Sequence, residues 1–421
     1  MKSSATDPFV ARVGIDWADA KHDVCLQPEG ADTLERSVLI HTPEAIDEWV
    51  RALRQRFGSR PIAIALELAK GPLVYALQKY DGFVLFPVNP SMLANYRKTF
   101  TPSGAKDDPT DAELALDLLW RHPERLTPLV PQSAPLRALQ QLVEQRRRLV
   151  GDRVRLTNRL TTALKNYCPQ PLQWFEDKAT ILFCDFLARW PTLKQLQRAR
   201  IASLRTFFLE HNVRHPLLIT QRIDAIRAAT ALTHDQAVIA PNALLVQTLV
   251  AQLRCVLEGI DQFDRAIADT AATLEDYPLF QALPGAGPTL APRLLVAFGE
   301  QRERYHHAAE LQKYSGVAPV TERSGKSSWV HWRYAAPTFL RQTFVEWAAQ
   351  TIPHSFWARA FYEQQRAKGV SHQAALRALA FKWIRILFRC WQDRTPYDES
   401  TYLNALKRRG SPLLKSIANT N

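Results

Sequence analysis

Hydrophobic periodicity changes once in this chain, at Pro131, and it does not change back. Before that proline, apolar runs of strand length alternate with stretches of helical spacing. After it, Leu136 to Tyr167 form one unbroken helical pattern, with Leu142, Leu149 and Leu156 seven apart, then Leu160, Leu164 and Tyr167 on the same side. A seven-residue apolar repeat of that length suits a long bundle helix or a coiled coil and cannot be accommodated in a sheet. The chain is therefore expected to be α/β in front and all-α behind. At 421 residues with 46% hydrophobic side chains it has material for more than one core. The expected segments are an α/β domain over 1–130, a helical or coiled-coil linker over 131–278, a mainly helical domain over 279–400 and a basic tail over 401–421.

Within the first segment, Arg12 to Trp17, Asp23 to Leu26 and Ser37 to His41 read as three short strands of an antiparallel meander. Thr42 is a cap and Pro43 a first residue for a helix reaching Phe57. Pro61 to Leu68 is nearly all apolar, the mark of a central buried strand. A helix from Pro72 to Tyr80, a strand from Phe83 to Val88, and helices near Ser91 to Phe100 and Pro109 to Leu119 complete the order βββαβαβα. That is the order of a ribonuclease-H-like domain.

In such a domain the first and fourth strands are neighbours, so Asp16 and Glu67, which close them, would meet at one end of the sheet. Asp108 and Asp111, three apart at a helix start, would lie about a turn from each other. Four carboxylates there are hard oxygen ligands for Mg²⁺ or Mn²⁺, and two ions about 3.5–4 Å apart can stabilise the attacking and leaving oxygens of phosphoryl transfer. Each acid also has an ordinary explanation. Asp108 is a good N-cap, Asp111 suits the helix dipole, Asp16 a turn and Glu67 a solvated strand edge. Asp19, Asp23 and Asp107 read as turn or surface residues.

The formal net charge is +13 and no apolar run approaches 18 residues, so the expected polyanion is nucleic acid and not a membrane surface. Five scattered cysteines without a CxxC pair point away from zinc and disulfides and suit a reducing cytoplasm, and a terminus without an apolar signal core makes export an unexpected fate. Between Arg137 and Lys165 stand eight basic residues, among them Arg146, Arg147, Arg148 and Arg153, against Glu144 and Asp152. Phosphate contacts explain so one-sided a face better than solvation does. A second long helix, marked by Leu249, Leu253, Val256, Ile260, Phe263, Ile267 and Leu274, would pair with the first in an intramolecular hairpin or with another protomer in a dimer or tetramer. Gly285 and Gly287 form a turn between apolar helices, the pattern of a helix-hairpin-helix that holds a backbone phosphate, or an ordinary helix turn. Farther on, Trp329-Val330-His331-Trp332-Arg333-Tyr334 is an aromatic and basic cluster apt for stacking, and the helices over Ser371 to Trp391 are amphipathic and basic, Arg377 included.

Val13-Gly14-Ile15-Asp16, Ala65-Leu66-Glu67 and Lys106-Asp107-Asp108-Pro109-Thr110-Asp111-Ala112 resemble the DEDD motif of the IS110-type transposases, including the IS1111 group. The N-terminal domain of that family resembles the Holliday-junction resolvase RuvC. The resemblance continues at the Gly285 turn, which opens the family's second transposase domain, and at Arg394-Thr395-Pro396-Tyr397-Asp398. Ser324, before Gly325, matches the family's characteristic serine, which implies a nucleophile attacking a DNA phosphate. A serine hydroxyl needs activation, and Arg323, Lys326, Arg333 or Arg341 would stabilise the charge that develops. The resemblance further implies donor and target DNA paired through a structured noncoding bridge RNA. Where many relatives carry a Lys-x-Gly-Asn segment this chain has Pro337, so no role passes to the missing Lys and Asn. Two other functions stay open at this point: a Mg²⁺-dependent Holliday-junction-type endonuclease with water as nucleophile, and a non-enzymatic nucleic-acid scaffold.

Overall fold

The computed structural model describes residues 8–67, 69–100, 108–411 and 413, and it divides into two compact units, Met1–Pro131 and Gln132–Asn421. Lys106, Asp107, Leu68 and most of the last ten residues lie outside the described set.

The first unit holds a five-stranded sheet of β1 (Ala11–Asp16), β2 (Lys21–Pro28), β3 (Glu35–Ile40), β4 (Ile62–Leu66) and β5 (Phe83–Pro87), in the order β3-β2-β1-β4-β5. The first three strands are antiparallel, and β4 and β5 run parallel to β1. Its helices are α1 (Pro43–Phe57), α2 (Pro72–Leu77), α3 (Pro90–Phe100) and α4 (Asp108–Arg121). Every expected element of this unit is present, with no end displaced by more than three residues. The signals at α1 act as read: Thr42 Oγ1 accepts from the Ala45 amide, Pro43 is the first helical residue, and Gly58 ends the helix at φ +68°.

Both faces of this sheet are covered. Val13, Ile15, Val24, Ile62, Ile64 and Leu66 pack with α1 and α2 on one face. On the other, Gly14, Cys25, Ala63 and Ala65 are small, and α4 lies against them. A Cβ on Gly14 would stand 2.0 Å from the Ala112 carbonyl oxygen and 2.6 Å from the Leu116 nitrogen, so only glycine permits this approach. Arg12, two residues earlier on β1, lies over the Trp120 ring at 3.7 Å. The helix therefore runs antiparallel to β1, with its first turn above the strand's C-terminal end.

The second unit is built on α5 (Ala134–Tyr167) and α11 (Gln236–Ala272), which pack along one another antiparallel. Arg146 pairs with Asp264, and Asn166 bonds Asn242 at 3.1 Å. Of the two readings left open for these helices, the intramolecular hairpin is the one present within the chain. Between them run α6 (Pro171–Trp174), α7 (Ile181–Arg189), α8 (Leu193–Arg198), α9 (Ile201–Glu210) and α10 (Pro216–Ala228). These close one core over the Leu160–Tyr167 end of α5.

The other end of α5 carries a second core with α12 (Tyr277–Gln281), α13 (Gly287–Phe298), α14 (Ala308–Tyr314), α15 (Thr338–Thr351), α16 (Phe356–Ala367), α17 (His372–Gln392) and α18 (Glu399–Arg408). Four tryptophans fill its centre, and each indole N–H has an acceptor: Trp347 on the Pro284 carbonyl, Trp357 on the Tyr397 hydroxyl, Trp383 on Thr351 and Trp391 on the Gly299 carbonyl.

Three expectations need correction. The basic run at Lys407 and Arg408 closes α18, whose Leu406 is buried in this core, so a tail does not begin at 401. The stretch around Ser324 forms a hairpin, β6 (Val320–Ser324) with β7 (Ser327–His331). Finally, among the described residues one helix, α11, is long and apolar enough by length and composition to cross a membrane. Its Val246, Leu249, Val250 and Leu253 are instead buried in the core it shares with α5 and α7.

Two glycines give opposite expected outcomes. Gly14→Ala should lower the unfolding free energy of the first unit by about 1–3 kcal/mol or more, because α4 must lift. Gly151→Ala, inside α5 with only the flexible Arg155 guanidinium near its Cβ, should raise stability by about 0.5–1 kcal/mol. Urea unfolding followed by circular dichroism measures both.

Candidate functional site

The antiparallel passage of α4 over β1 decides where the acids fall. Asp16 is the last residue of β1, 8% exposed, on the same face as Gly14 and so beneath the first turn of α4. Ile15 pairs with Leu66 in parallel register, and the next step brings Glu67 beside Asp16, half-buried. On the other side Asp16 pairs directly with Asp23, which puts a third acid on that face. Asp23, read from the sequence as a surface residue, thus extends the row to Asp23, Asp16, Glu67 across three strands. Its strand partner is the signal that sequence alone does not display.

Asp111 is the most enclosed of the set, 1% exposed. Arg97 on α3 grips it with two bonds of 2.6 Å, Nε to Oδ1 and Nη2 to Oδ2. Asp108 opens α4 and is exposed. The structure therefore sets Asp16 and Glu67 at neighbouring strand ends, places the start of α4 over Asp16, and ties Asp111 to a guanidinium that the sequence did not single out. Among the described residues no three acidic, histidine or cysteine side chains converge closely enough to hold one ion.

In the second unit, Ser324 ends β6 and pairs with Ser327 across Gly325 and Lys326. Gly325 takes φ +56°, and Lys326 is not among the residues with positive φ, the pattern of a type II′ turn. Alternation puts Ser324, Glu322, Trp329 and His331 on one face of the hairpin and Arg323 on the other. Arg323 is thereby separated from the Ser324 hydroxyl, whereas Lys326 shares its turn. Glu322 accepts from the Trp329 indole at 2.9 Å and lies 2.7 Å from His331 Nε2. The bonds from His331 and Trp329 hold the Glu322 carboxyl below its ordinary pKa, and the same contact with Glu322 raises that of His331.

The expected nucleic-acid contacts divide. Arg146 is committed to Asp264 by the pairing of α5 with α11, Arg147 reaches Gln342 at 3.4 Å, Arg148 is exposed and Arg153 half-buried. Gly285 takes φ +66° with its Cα against the Gln350 carbonyl, where a Cβ would be at 2.3 Å, so packing already accounts for that glycine. Gly287, at φ +54°, faces open space. Arg333 approaches the Ala318 carbonyl at 3.4 Å, and Arg341 donates to the Arg333 carbonyl at 3.1 Å.

Comparison with known proteins bears on both units. Residues 13–169 match the DEDD transposase model of the IS110 group, and residues 277–363 match the Transposase IS116/IS110/IS902 family. The chain belongs to the IS110 family of transposases. The transposase is 28% identical to the "Mini-circle putative transposase for IS117" of Streptomyces coelicolor, over 98% of this chain and 99% of that protein. It is 26% identical to the insertion element IS116 44.8 kDa protein of Streptomyces clavuligerus, over 91% and 94% of the two chains. It is also 31% identical to the transposase-like protein y4uE of Sinorhizobium fredii, over 50% of this chain and 59% of the other.

A DEDD transposase domain suggests use of a divalent metal. The donor chemistry of Asp16 and Glu67, carboxylates at neighbouring strand ends, fits a hard cation. At Asp111 a cation would compete with the Arg97 guanidinium, which already holds one bond on each carboxylate oxygen.

Arg97→Ala leaves a carboxylate buried without its cation and should cost about 3–5 kcal/mol in urea unfolding. Mg²⁺ or Mn²⁺ should recover part of that loss, and recover more in the variant than in the parent protein. A loss below about 1 kcal/mol would mean that Arg97 does not neutralise Asp111.

Proposed function

We propose that this transposase cuts and rejoins DNA through a covalent bond between Ser324 and a DNA phosphate, with Asp16, Glu67, Asp108 and Asp111 as the metal-holding acids. The observation that carries the serine assignment is the place of Ser324 at the tip of an exposed two-stranded hairpin, with a cation, Lys326, in the same turn. A hydroxyl so placed can reach a phosphodiester on the surface of another molecule. Ser327 and Ser328 lie on the same hairpin, but only Ser324 precedes the glycine of the turn.

In the proposed step a bond forms between Ser324 Oγ and phosphorus as one phosphorus–oxygen bond to deoxyribose breaks, and the Oγ proton is lost as the departing oxygen gains one. Lys326 is placed to offset charge on the phosphate. Rejoining reverses the step with a different DNA hydroxyl. A Mg²⁺ or Mn²⁺ ion, when bound at the acids, would polarise a phosphate oxygen as a Lewis acid. Asp16 and Glu67 would hold it from adjacent strand ends, Asp108 and Asp111 from the helix above.

The strand order β3-β2-β1-β4-β5, antiparallel and then parallel, supports a ribonuclease-H-like reading of the first unit. The partners in this reading are donor and target DNA and a structured guide RNA, and the formal charge of +13 supports a polyanionic assembly.

Denaturing electrophoresis of protein incubated with labelled element-end DNA tests the serine. Ser324→Ala should remove the protein–DNA adduct and strand cleavage together, whereas Ser327→Ala keeps both. Cleavage that survives Ser324→Ala would sink the proposal and leave water as the nucleophile. Asp16→Asn should lower cleavage by roughly a hundredfold or more in Mg²⁺ while leaving DNA binding intact.

A further inference from the structure

An open pocket of about 230 Å³ lies at the foot of the β6–β7 hairpin, lined by Trp332, Thr338, Arg341, Gln342, Gln373 and Arg377, with Val345 the remaining wall. Its lining contains two arginines and no carboxylate. Both guanidiniums sit on one indole: Arg377 Cζ is 4.0 Å and Arg341 Cζ 5.0 Å from the Trp332 ring centroid. Among the described residues neither is ion-paired. Glu346, one turn along α15, is already held by Arg293 and Gln342, each at 2.6 Å.

Two like charges on one ring, without an acid between them, are an arrangement that stability alone does not favour. Burial first, and then the neighbouring Arg341, lower the pKa of Arg377. An anion between the guanidiniums would remove that repulsion, and two planar forks suit the oxygens of a phosphate. Thr338, at the first residue of α15, and Gln373, exposed at the rim, add neutral hydrogen-bonding groups.

We infer that Trp332, Arg341 and Arg377 form a clamp for a backbone phosphate of the same DNA strand that Ser324 attacks. Connectivity supplies the second half of the argument. Trp332 directly follows His331, the last residue of β7, while Ser324 lies at the opposite end of the hairpin. Five strand residues at about 3.4 Å each separate the pocket from the turn by about 17 Å. Strand phosphates recur about every 3.4 Å of duplex axis, so one strand reaches both places within a few nucleotides. The indole faces carry the guanidiniums and not a base, so the clamp positions DNA without reading its sequence. The identity of the strand rests on the serine reading above; the phosphate site does not.

Fluorescence anisotropy of the full chain with labelled duplex DNA of arbitrary sequence, across a salt series, tests the clamp. Arg377→Gln should weaken binding roughly threefold to tenfold for every sequence and reduce the salt slope by about 1. Arg377→Lys should keep the slope. Gln373→Glu, on the exposed rim, should reproduce the effect of Arg377→Gln by placing a carboxylate at the mouth, and it guards against a folding defect in the first variant. In a Ser324→Ala background, which forms no adduct, Arg377→Gln should still reduce the slope, so loss of the adduct and loss of the clamp are separate results. Unchanged slopes in both Arg377→Gln and Gln373→Glu would overturn the site. A slope change with RNA strands but none with DNA would overturn the assignment to DNA.

Discussion

The first unit depends on the contact between Gly14 and the backbone of α4. One missing Cβ lets a helix lie directly on a strand, and because the helix runs against β1, its first turn falls over Asp16. Ala63 and Ala65 on β4 extend the same flat surface. The small residues and the acids thus share one face of the sheet: the first set the height of the helix, and the second collect beneath its start. A bulkier face would still bury apolar area, but it would carry Asp111 away from the strand ends. Arg97 then fixes the remaining freedom by tying α3 to α4 through Asp111.

The second unit solves a different problem. A helix pair with a core at each end needs neither core to reach the middle, and there α5 is only half-buried, from Leu149 to Leu156. Pairing with α11 consumes some of the charge that composition suggests is available for nucleic acid, Arg146 above all. The net charge of the chain therefore overstates the cationic surface of α5, whereas Arg341 on α15 and Arg377 on α17 have no ion-pair partner among the described residues.

The sequence was legible where local chemistry and burial agree. Thr42 and Pro43, the apolar run of β4 and the heptad of α5 all mark elements that form as read, because cap, propensity and periodicity act over a few residues. Asp16 and Glu67 were legible as strand ends, and register brings them together. The Arg97–Asp111 pair was not, since nothing local links α3 to α4. Asp23 was misjudged for the same reason: it looks solvated until β2 is laid beside β1. The hairpin was missed because both of its faces are exposed, which erases the alternation that betrays a strand. Gly285 shows the reverse error, a glycine that suggested a phosphate and is explained by the Gln350 carbonyl.

That doubly exposed hairpin has a consequence for timing. Two strands without an apolar face are marginal in water, and the side-chain contacts of Glu322 with Trp329 and His331 do not replace a core. In the proposed reaction the nucleophile, Ser324, is thus mounted on an element with little stability of its own. On that reading its alignment is completed by the DNA it touches, and recognition and reactivity become a single event. A protein idling without its substrate carries a serine that is no better aligned than any other.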